Sequence, residues 1–461
     1  MKKILILNGS PKGKQSVTLY YAKFVEKKFP NYEYEILNIS RDIKRIENNE
    51  KLFNEIIDKV KKADLILWAI PVYVFLIPAQ MKLFIELVIE KNLQDTFKNK
   101  YSALIMTSIH FYDNTATNYM RAICEDFGMQ FIDYFSASMR SIFKKKWQNQ
   151  LMLFAKNIFY TIENNLSVTK YYLPIHHNAI EYSPHKVKNR ISTNGKKVLI
   201  ITDSQDRESN LSKMTKQFQA NFNENIEEMN IHNLKISGGC LGCIQCAYDN
   251  TCIYENSDEY NDFFENKVKK ADILIFASTI KDRYFSARWK MFYDRSFYNN
   301  HAPQFIGKQI IYIVSGPLNQ LPDIRQIFDA WTQIHRGNLV DFISDEYDNS
   351  AKLDKVISET AKKTIRFANQ NFKREDNFLG VAGMNLFRDH IRWSLKFPFV
   401  ADYKAYKKLG IFKSLRTKFK VKVFNSILYY LVKIPKFRDE IYKKQMKKQM
   451  VKRIKKLVDE I

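Results

Sequence analysis

The sequence predicts an α/β fold: two tandem, doubly wound parallel sheets of five strands each, followed by a basic α-helical extension. Three observations carry that prediction. The first is an internal repeat. Lys2-Lys3-Ile4-Leu5-Ile6-Leu7 has a counterpart in Lys196-Lys197-Val198-Leu199-Ile200-Ile201, and Lys61-Lys62-Ala63-Asp64-Leu65-Ile66-Leu67 has one in Lys269-Lys270-Ala271-Asp272-Ile273-Leu274-Ile275. The second is that short apolar runs alternate with helical segments in both copies, as a parallel sheet with crossover helices requires. The third is segregation of charge. Asn371 to Ile461 holds 24 Lys and Arg against 8 Asp and Glu, so +16 of the net +25 lies in the last stretch.

In the first copy, Ile4–Leu7 is a continuous apolar run suited to a strand covered on both faces. A helix follows from Thr18 to Lys28, then a strand from Tyr32 to Leu37 and a helix from Leu52 to Lys62. Leu65–Ala69 is the third strand, with a loop from Pro71 to Pro78 and a helix from Gln80 to Lys91. Ser102–Thr107 and Phe131–Phe135 complete the sheet, with a helix at Tyr119–Phe127 between them. The strands of the second copy are Val198–Thr202, Met229–Ile236, Ile273–Ala277, Gln309–Val314 and Leu339–Ile343. The expected units are 1–171, a linker over 172–196 containing His176-His177, a second unit over 197–373, and the extension over 374–461. The linker histidines lack a second ligand cluster and read as solvated.

Composition narrows the class. At 45% hydrophobic residues the chain can bury real cores. The longest apolar stretch, Leu65 to Ala79, is broken by Pro71 and Pro78 and falls short of the ~20 residues of a spanning helix. Met1-Lys2-Lys3 and the four apolar residues after it run straight into a glycine turn, which reads as a strand and not as a signal peptide. A cytoplasmic protein is expected. Four of the five cysteines lie within thirteen residues, and in a reducing compartment such a cluster points to metal or redox work rather than disulfides. Cys124 stands alone in a helix and reads as packing.

Asn8-Gly9-Ser10-Pro11-Lys12-Gly13-Lys14-Gln15-Ser16-Val17-Thr18 follows an apolar strand and opens a helix. A helix start offers unpaired N–H groups and a positive dipole end, and so suits a phosphate. The hydroxyls of Ser10, Ser16 and Thr18 can donate to phosphate oxygens, and Lys12 adds charge. The loop has neither the Gly-Lys-Ser/Thr ending of the nucleotide P-loop nor Gly-x-Gly-x-x-Gly. It resembles the Gly-Ser-Pro-Arg/Lys…Ser-x-Thr signature of NAD(P)H-dependent FMN reductases, whose fold is flavodoxin-like. Ala69-Ile70-Pro71-Val72-Tyr73 and Met81-Lys82-Leu83-Phe84-Ile85-Glu86 resemble the next two elements of that family. The resemblance implies FMN in the first half, with Pro71, Val72 and Tyr73 along the ring and Thr107, Ser108 and His110 near its polar edge. It implies NAD(P)H as electron donor. Glu86 departs from the family, which usually has Asp-Arg there. No acid–base residue is nominated.

The second copy has lost the phosphate loop. Thr202-Asp203-Ser204-Gln205-Asp206-Arg207-Glu208 lacks glycine, and its carboxylates repel phosphate. The Pro-x-Tyr spacing is gone too, although Trp289 to Arg295 keeps the family's helix with Asp294-Arg295. After the second strand of this copy stands Cys240-x2-Cys243-x2-Cys246-x5-Cys252. The repeat markers locate the insertion: Ile4 to Ala63 is 59 positions and Val198 to Ala271 is 73, an excess of 14. Four thiolates in a compact glycine-containing loop can surround a [4Fe–4S] cube. Zinc also takes four thiolates, and unmetallated thiols are the third reading. The spacing, and the place after a second strand ending at Ile236, resemble the iron–sulfur flavoproteins, which implies the cluster.

Taken together, these motifs predict an FMN oxidoreductase in which electrons pass from FMN to a [4Fe–4S] cluster and on to an acceptor the sequence does not identify. The alternative is a non-catalytic flavin-binding adaptor. The tail interleaves lysine with Phe412, Phe419, Phe424, Tyr429, Tyr430, Phe437 and Tyr442. Val421–Val432 reads as an amphipathic helix, as does Tyr442–Ile461 with Met446, Met450, Ile454 and Leu457 on one stripe. Such helices suit an anionic membrane or an acidic partner. No nucleic-acid motif is present, and a homo-oligomer stays open.

Overall fold

The computed structural model describes residues 1–445, 452, 455, 459 and 460. The first half runs β1 (Lys3–Asn8), α1 (Val17–Lys28), β2 (Glu33–Leu37), α2 (Ile39–Glu47), α3 (Glu50–Lys62), β3 (Leu65–Pro71), α4 (Ala79–Glu90), β4 (Tyr101–Thr107), α5 (Asp113–Asp126), β5 (Gln130–Ala137) and α6 (Lys145–Glu163). The second runs β6 (Val198–Thr202), α7 (Asn210–Ala220), β7 (Glu227–Asn230), α8 (Tyr260–Phe263), β8 (Ile273–Thr279), α9 (Ala287–Arg295), β9 (Gln309–Ser315), α10 (Pro322–Ile334), β10 (Asn338–Ser344) and α11 (Ser350–Asn369). Both sheets are parallel. Their strand orders, β2-β1-β3-β4-β5 and β10-β9-β8-β6-β7, are one flavodoxin-like order written twice.

Strand alternation explains how the halves join. Leu5 and Leu7 of β1 point to one face, where they share a single core with Leu199 and Ile201 of β6. Ile4 and Ile6 point the other way, toward α1 and α6, and Val198 and Ile200 point toward α7 and α11. The helices between the sheets include α4 and α9, which pack on each other. Each sheet is therefore covered on both faces, and the central layer belongs to both halves.

One edge strand of each sheet, β5 and β10, carries the same bulge. Pairing of β5 with β4 shifts between Phe131 and Tyr134, and that of β10 with β9 shifts between Leu339 and Asp341. Asp133 and Asp341 sit at these points and accept from the next backbone N–H at 2.8 and 3.0 Å. A charged bulge on an edge strand discourages pairing with another sheet.

Two readings of the sequence need correction. The second strand of the second copy ends at Asn230 and does not reach Ile236. The chain turns there, Asn233 N–H donating to Asn230 O at 3.0 Å, and the Arg288 guanidinium takes the Ile231 and Leu234 carbonyls. Ile231, Leu234 and Ile236 are buried in a coil, not a strand. Helix α2 was not expected from the sequence, yet Ile39, Ile43 and Ile46 form its buried stripe.

The extension begins with α12 (Phe378–Trp393) and α13 (Val400–Lys408), continues through α14 (Ser414–Leu431) and reaches α15 (Pro435–Asp439). Helix α12 touches both halves. A Cβ at Gly383 would lie 2.8 Å from Ile334 Cδ1 and 2.9 Å from Phe111 Cε2, so glycine permits the close approach. Met446, Met450, Ile454 and Leu457 lie outside the described residues. Among the described residues no helix is long and apolar enough to cross a membrane.

Candidate functional site

The flavin residues named from the sequence come from three loops, at the C-terminal ends of neighbouring strands β1, β3 and β4. Strand order reverses between β1 and β3, which opens a crevice there. Asn8 fastens the first loop. Its amide donates to Gly13 O and Asn38 Oδ1, both at 2.9 Å, and its Oδ1 accepts from Ser10 N at 3.2 Å. Ser10 Oγ accepts from Lys12 N at 3.3 Å, and Ser16 caps α1 by accepting from Leu19 N at 3.2 Å. In both bonds the serine oxygen is the acceptor, so each hydroxyl proton is left to give. Thr18 Oγ1 meets Thr107 Oγ1 at 2.5 Å and joins the first loop to the third.

The second loop is tighter than its two prolines suggest. Tyr73 and Leu76 exchange backbone hydrogen bonds of 2.8 and 3.1 Å around Val74 (φ 38°) and Phe75 (φ 67°). Left-handed backbone at a β-branched valine is strained and needs support from its surroundings. Phe75 packs edge-on against Tyr112 at 4.7 Å, its carbonyl accepts from Thr115 Oγ1 at 2.7 Å, and Lys290 Nζ donates to Tyr73 O at 2.8 Å. Val72 N–H donates to Thr107 O at 3.1 Å. In the third loop, Ser108 Oγ accepts from His110 N at 2.9 Å. The exposed His110 ring meets Asp113 Oδ2 at 3.0 Å, and Ser136 Oγ donates to the same oxygen at 2.6 Å.

The cysteine loop of the second half lies on this site. A Cβ at Gly242 would stand 2.0 Å from Tyr73 Oη and 3.0 Å from Lys12 Cε. Gln80 Nε2 donates to Cys240 O at 3.1 Å, and Lys44 Nζ donates to Ser237 O. Burial, aided by the neighbouring Cys240, Asp294 and Cys243, pushes the Tyr73 hydroxyl well above its ordinary range. All four cysteines are free and line one cavity, with Tyr254, Arg295, Phe297 and Tyr298. Burial pushes the Cys240 and Cys246 thiols up to about 12 and raises that of Cys252. Among the described residues no three His, Cys, Asp or Glu side chains are gathered as they would be around a single metal ion. Cys124, far from this loop in sequence, is wholly buried in the core.

The matching crevice of the second half is filled. Asp203 sits where the phosphate loop would begin, accepting from Ser278 Oγ at 3.1 Å and Ser286 Oγ at 3.0 Å. The segment between the halves crosses the start of α7. Asn210 Nδ2 donates to Ile180 O at 2.6 Å and to Asp345 Oδ2 at 2.9 Å, and Tyr182 N donates to Asn210 Oδ1 at 3.0 Å. His176 and His177 are exposed on that segment.

A family model described as NADPH-dependent FMN reductase matches residues 2–150 and again 196–340. The chain belongs to that family. It is a flavin-dependent oxidoreductase with the family's domain in tandem, and FMN and NAD(P)H are the family's cofactors. Similar solved structures each align with about one half. An NADH:FMN oxidoreductase (EMOB) in apo form is 18% identical over 36% of this chain and 91% of its own, with TM-score 0.30. FerB, a flavoenzyme NAD(P)H:(acceptor) oxidoreductase from Paracoccus denitrificans, is 19% identical over 36% and 98%, with TM-score 0.31. An FMN-dependent NADH-azoreductase from Bacillus anthracis, in complex with FMN, is 17% identical over 36% and 97%, with TM-score 0.24. No curated protein matches the chain.

Sequence reading of this FMN reductase missed the residues that join the two halves at the site. Gln80 and Lys44, which reach across to the cysteine loop, carry no motif of their own. Arg295 stands out as part of the Asp294-Arg295 pair, but its partner Asp258 does not.

Proposed function

We propose that the first half holds FMN, that NAD(P)H reduces it, and that electrons leave through a [4Fe–4S] cluster held by Cys240, Cys243, Cys246 and Cys252. The observation that carries this reading is the seating of Gly242 on Tyr73 and Lys12, which brings the cysteine loop of one half onto the flavin loops of the other. The residues fit both groups. Ser10 and Ser16 keep unspent hydroxyl protons at a helix start, as a phosphate needs. Four thiols share one cavity wall that also holds a buried donor without a partner, Arg295 Nε. Four thiols around one cavity match a cube, whose four irons each take one thiolate. When bound, the flavin would supply hydride acceptance and the cluster single-electron transfer.

The chain's own residues do the rest in this reading. Ser10, Lys12, Ser16 and Thr18 bind the phosphate end. Pro71, Val72 and Tyr73 flank the ring, with Thr107, Ser108 and His110 at its polar edge. Gln80 and Lys44 clamp the cysteine loop and keep water out of the junction. The second crevice, crossed by 180–182 and lined by Asp203, takes no flavin. The exposed aromatics and lysines of α14 and beyond favour docking on an anionic membrane surface, which would place the acceptor there.

Anaerobic purification followed by a visible spectrum and quantification of iron and FMN tests this. About one FMN and about four irons per chain, with NAD(P)H bleaching both, is the expected result. FMN turnover without iron would remove the cluster from the reading. A protein that takes up FMN but does not oxidise NAD(P)H with a dye acceptor would favour the adaptor.

A further inference from the structure

One buried charge on the wall of the cysteine cavity is Arg295, which the second half keeps from the family's Asp-Arg pair and the first half lacks. Helices α4 and α9 correspond position by position: Ala79 with Ala287, Lys82 with Lys290, Glu86 with Asp294. At the next position the first half has Leu87 and the second has Arg295. The arginine is 1% exposed. Its terminal nitrogens are well used. Nη1 and Nη2 donate to the two oxygens of Asp258 at 2.6 and 3.0 Å, and Nη1 reaches Gly238 O at 3.3 Å. The guanidinium lies over the rings of Tyr254 at 4.3 Å and Tyr260 at 4.9 Å.

Two facts remain after those partners are assigned. Nε is buried and donates to nothing, and the side chain forms part of the wall of the four-cysteine cavity. A buried N–H without an acceptor is costly, and native structures seldom keep one. Asp258 and the two tyrosines hold the guanidinium rigidly, so it cannot swing away to water. We infer that Arg295 is the hydrogen-bond donor and counter-charge of the cluster proposed above, and that it sets the cluster's reduction potential. This inference rests on the cluster reading and adds to it.

The direction follows from charge. Four thiolates around a [4Fe–4S] core give a net charge of minus two, which becomes minus three when one electron enters and no bond forms or breaks. A fixed positive charge and an N–H donor at the sulfurs stabilise the reduced form more than the oxidised one. Arg295 therefore raises the potential.

The test is a redox titration followed by EPR on the full chain, reconstituted anaerobically, in the wild type, Arg295→Lys and Arg295→Gln. The expected result is about four irons per chain in each, with the midpoint potential falling from wild type to R295K to R295Q. An iron-loaded R295Q with the wild-type midpoint overturns the inference and leaves the cluster standing. A wild-type chain that takes up no iron overturns the cluster reading and this inference with it. Because R295Q can fail to fold, wild-type protein labelled with guanidino-15N arginine gives a second readout. Hyperfine coupling of the reduced cluster to an arginine nitrogen is expected, and its absence overturns the assignment.

Discussion

Gly242 has no room for a side chain, and it adopts φ 63°, where only glycine is comfortable. Gly242→Ala should destabilise the protein by about 1–3 kcal/mol, as overpacking does. Tyr73→Phe in the same background should recover part of that, since Tyr73 Oη is the obstructing atom at 2.0 Å. Urea midpoints of the two single variants and the double decide it. A Tyr73→Phe change that gives no relief means the loop is not seated there. At the phosphate loop, Ser10→Ala and Ser16→Ala each remove one hydrogen bond to a charged group, worth about 1.5–3 kcal/mol. FMN affinity should fall roughly tenfold to a hundredfold per site, measured by equilibrium dialysis. Asp203 gives a pH signature. Burial pushes its carboxyl up from 3.8 to about 6. The folded state then holds a proton that the unfolded chain has released, so stability falls as pH rises from about 4 to about 6. By linkage the loss is on the order of 2–3 kcal/mol. Asp203→Asn should be more stable than wild type at pH 7 and equal to it near pH 4, read from thermal melts at the two pH values.

Between residues and molecule, the informative unit is the pair α4 and α9. Glu86 Oε1 accepts from Ala287 N at 2.8 Å, and Asp294 Oδ2 accepts from Ala79 N at 2.8 Å. Each helix start is thus capped by a carboxylate of the other helix, as a two-fold interface would arrange it. Lys82, wholly buried, meets Glu86 at 2.6 Å and Asp282 at 2.9 Å. Lys82→Met leaves two buried carboxylates without a cation, and stability should drop by about 3–5 kcal/mol. Adding E86Q and D282N removes the stranded charge and should return most of it. A silent Lys82→Met in denaturant unfolding would mean the triad is not formed. This interface also shows what the sequence could convey. The strands of the sheets were legible because β1, β3, β4, β6, β8 and β9 are apolar runs covered on both faces. Strand β7, Glu227-Glu228-Met229-Asn230, lies at an edge and has little apolar signal, so its end was misplaced by the buried isoleucines beyond it. The flavin loops could be named because local residues define them. The partners of Gln80, Lys82 and Arg295 could not be, because they lie 160, 200 and 37 positions away.

For the whole molecule the question is which part of the extension belongs to the core. Phe387, Ile391, Tyr406 and Ile411 are buried, and Phe387 packs on Phe111 of the first half at 4.6 Å and on His301 of the second at 4.4 Å. Asp402 takes the His301 ring at 2.6 Å, and Lys404 lies over Tyr248 of the cysteine loop at 5.6 Å. Up to about Ile411 the extension is therefore a strap that closes the joint between the halves and backs the cysteine loop. Beyond it the environment changes. Phe424, Ile427, Tyr429, Tyr430, Ile434 and Tyr442 are each more than half exposed, among Lys422, Lys433, Lys436 and Arg438. Exposed aromatics set among cations are what an anionic bilayer surface takes up, each cation adding about 1 kcal/mol near the surface at moderate salt. Deleting 414–461 should leave FMN content, NAD(P)H oxidation and the melting temperature as they are in the full chain. The same deletion should abolish co-sedimentation with vesicles containing phosphatidylserine, and the full chain should leave those vesicles as salt is raised. Retained vesicle binding by the shortened chain would move the membrane face to the α/β body, and a large loss of melting temperature would make the last helices part of the strap.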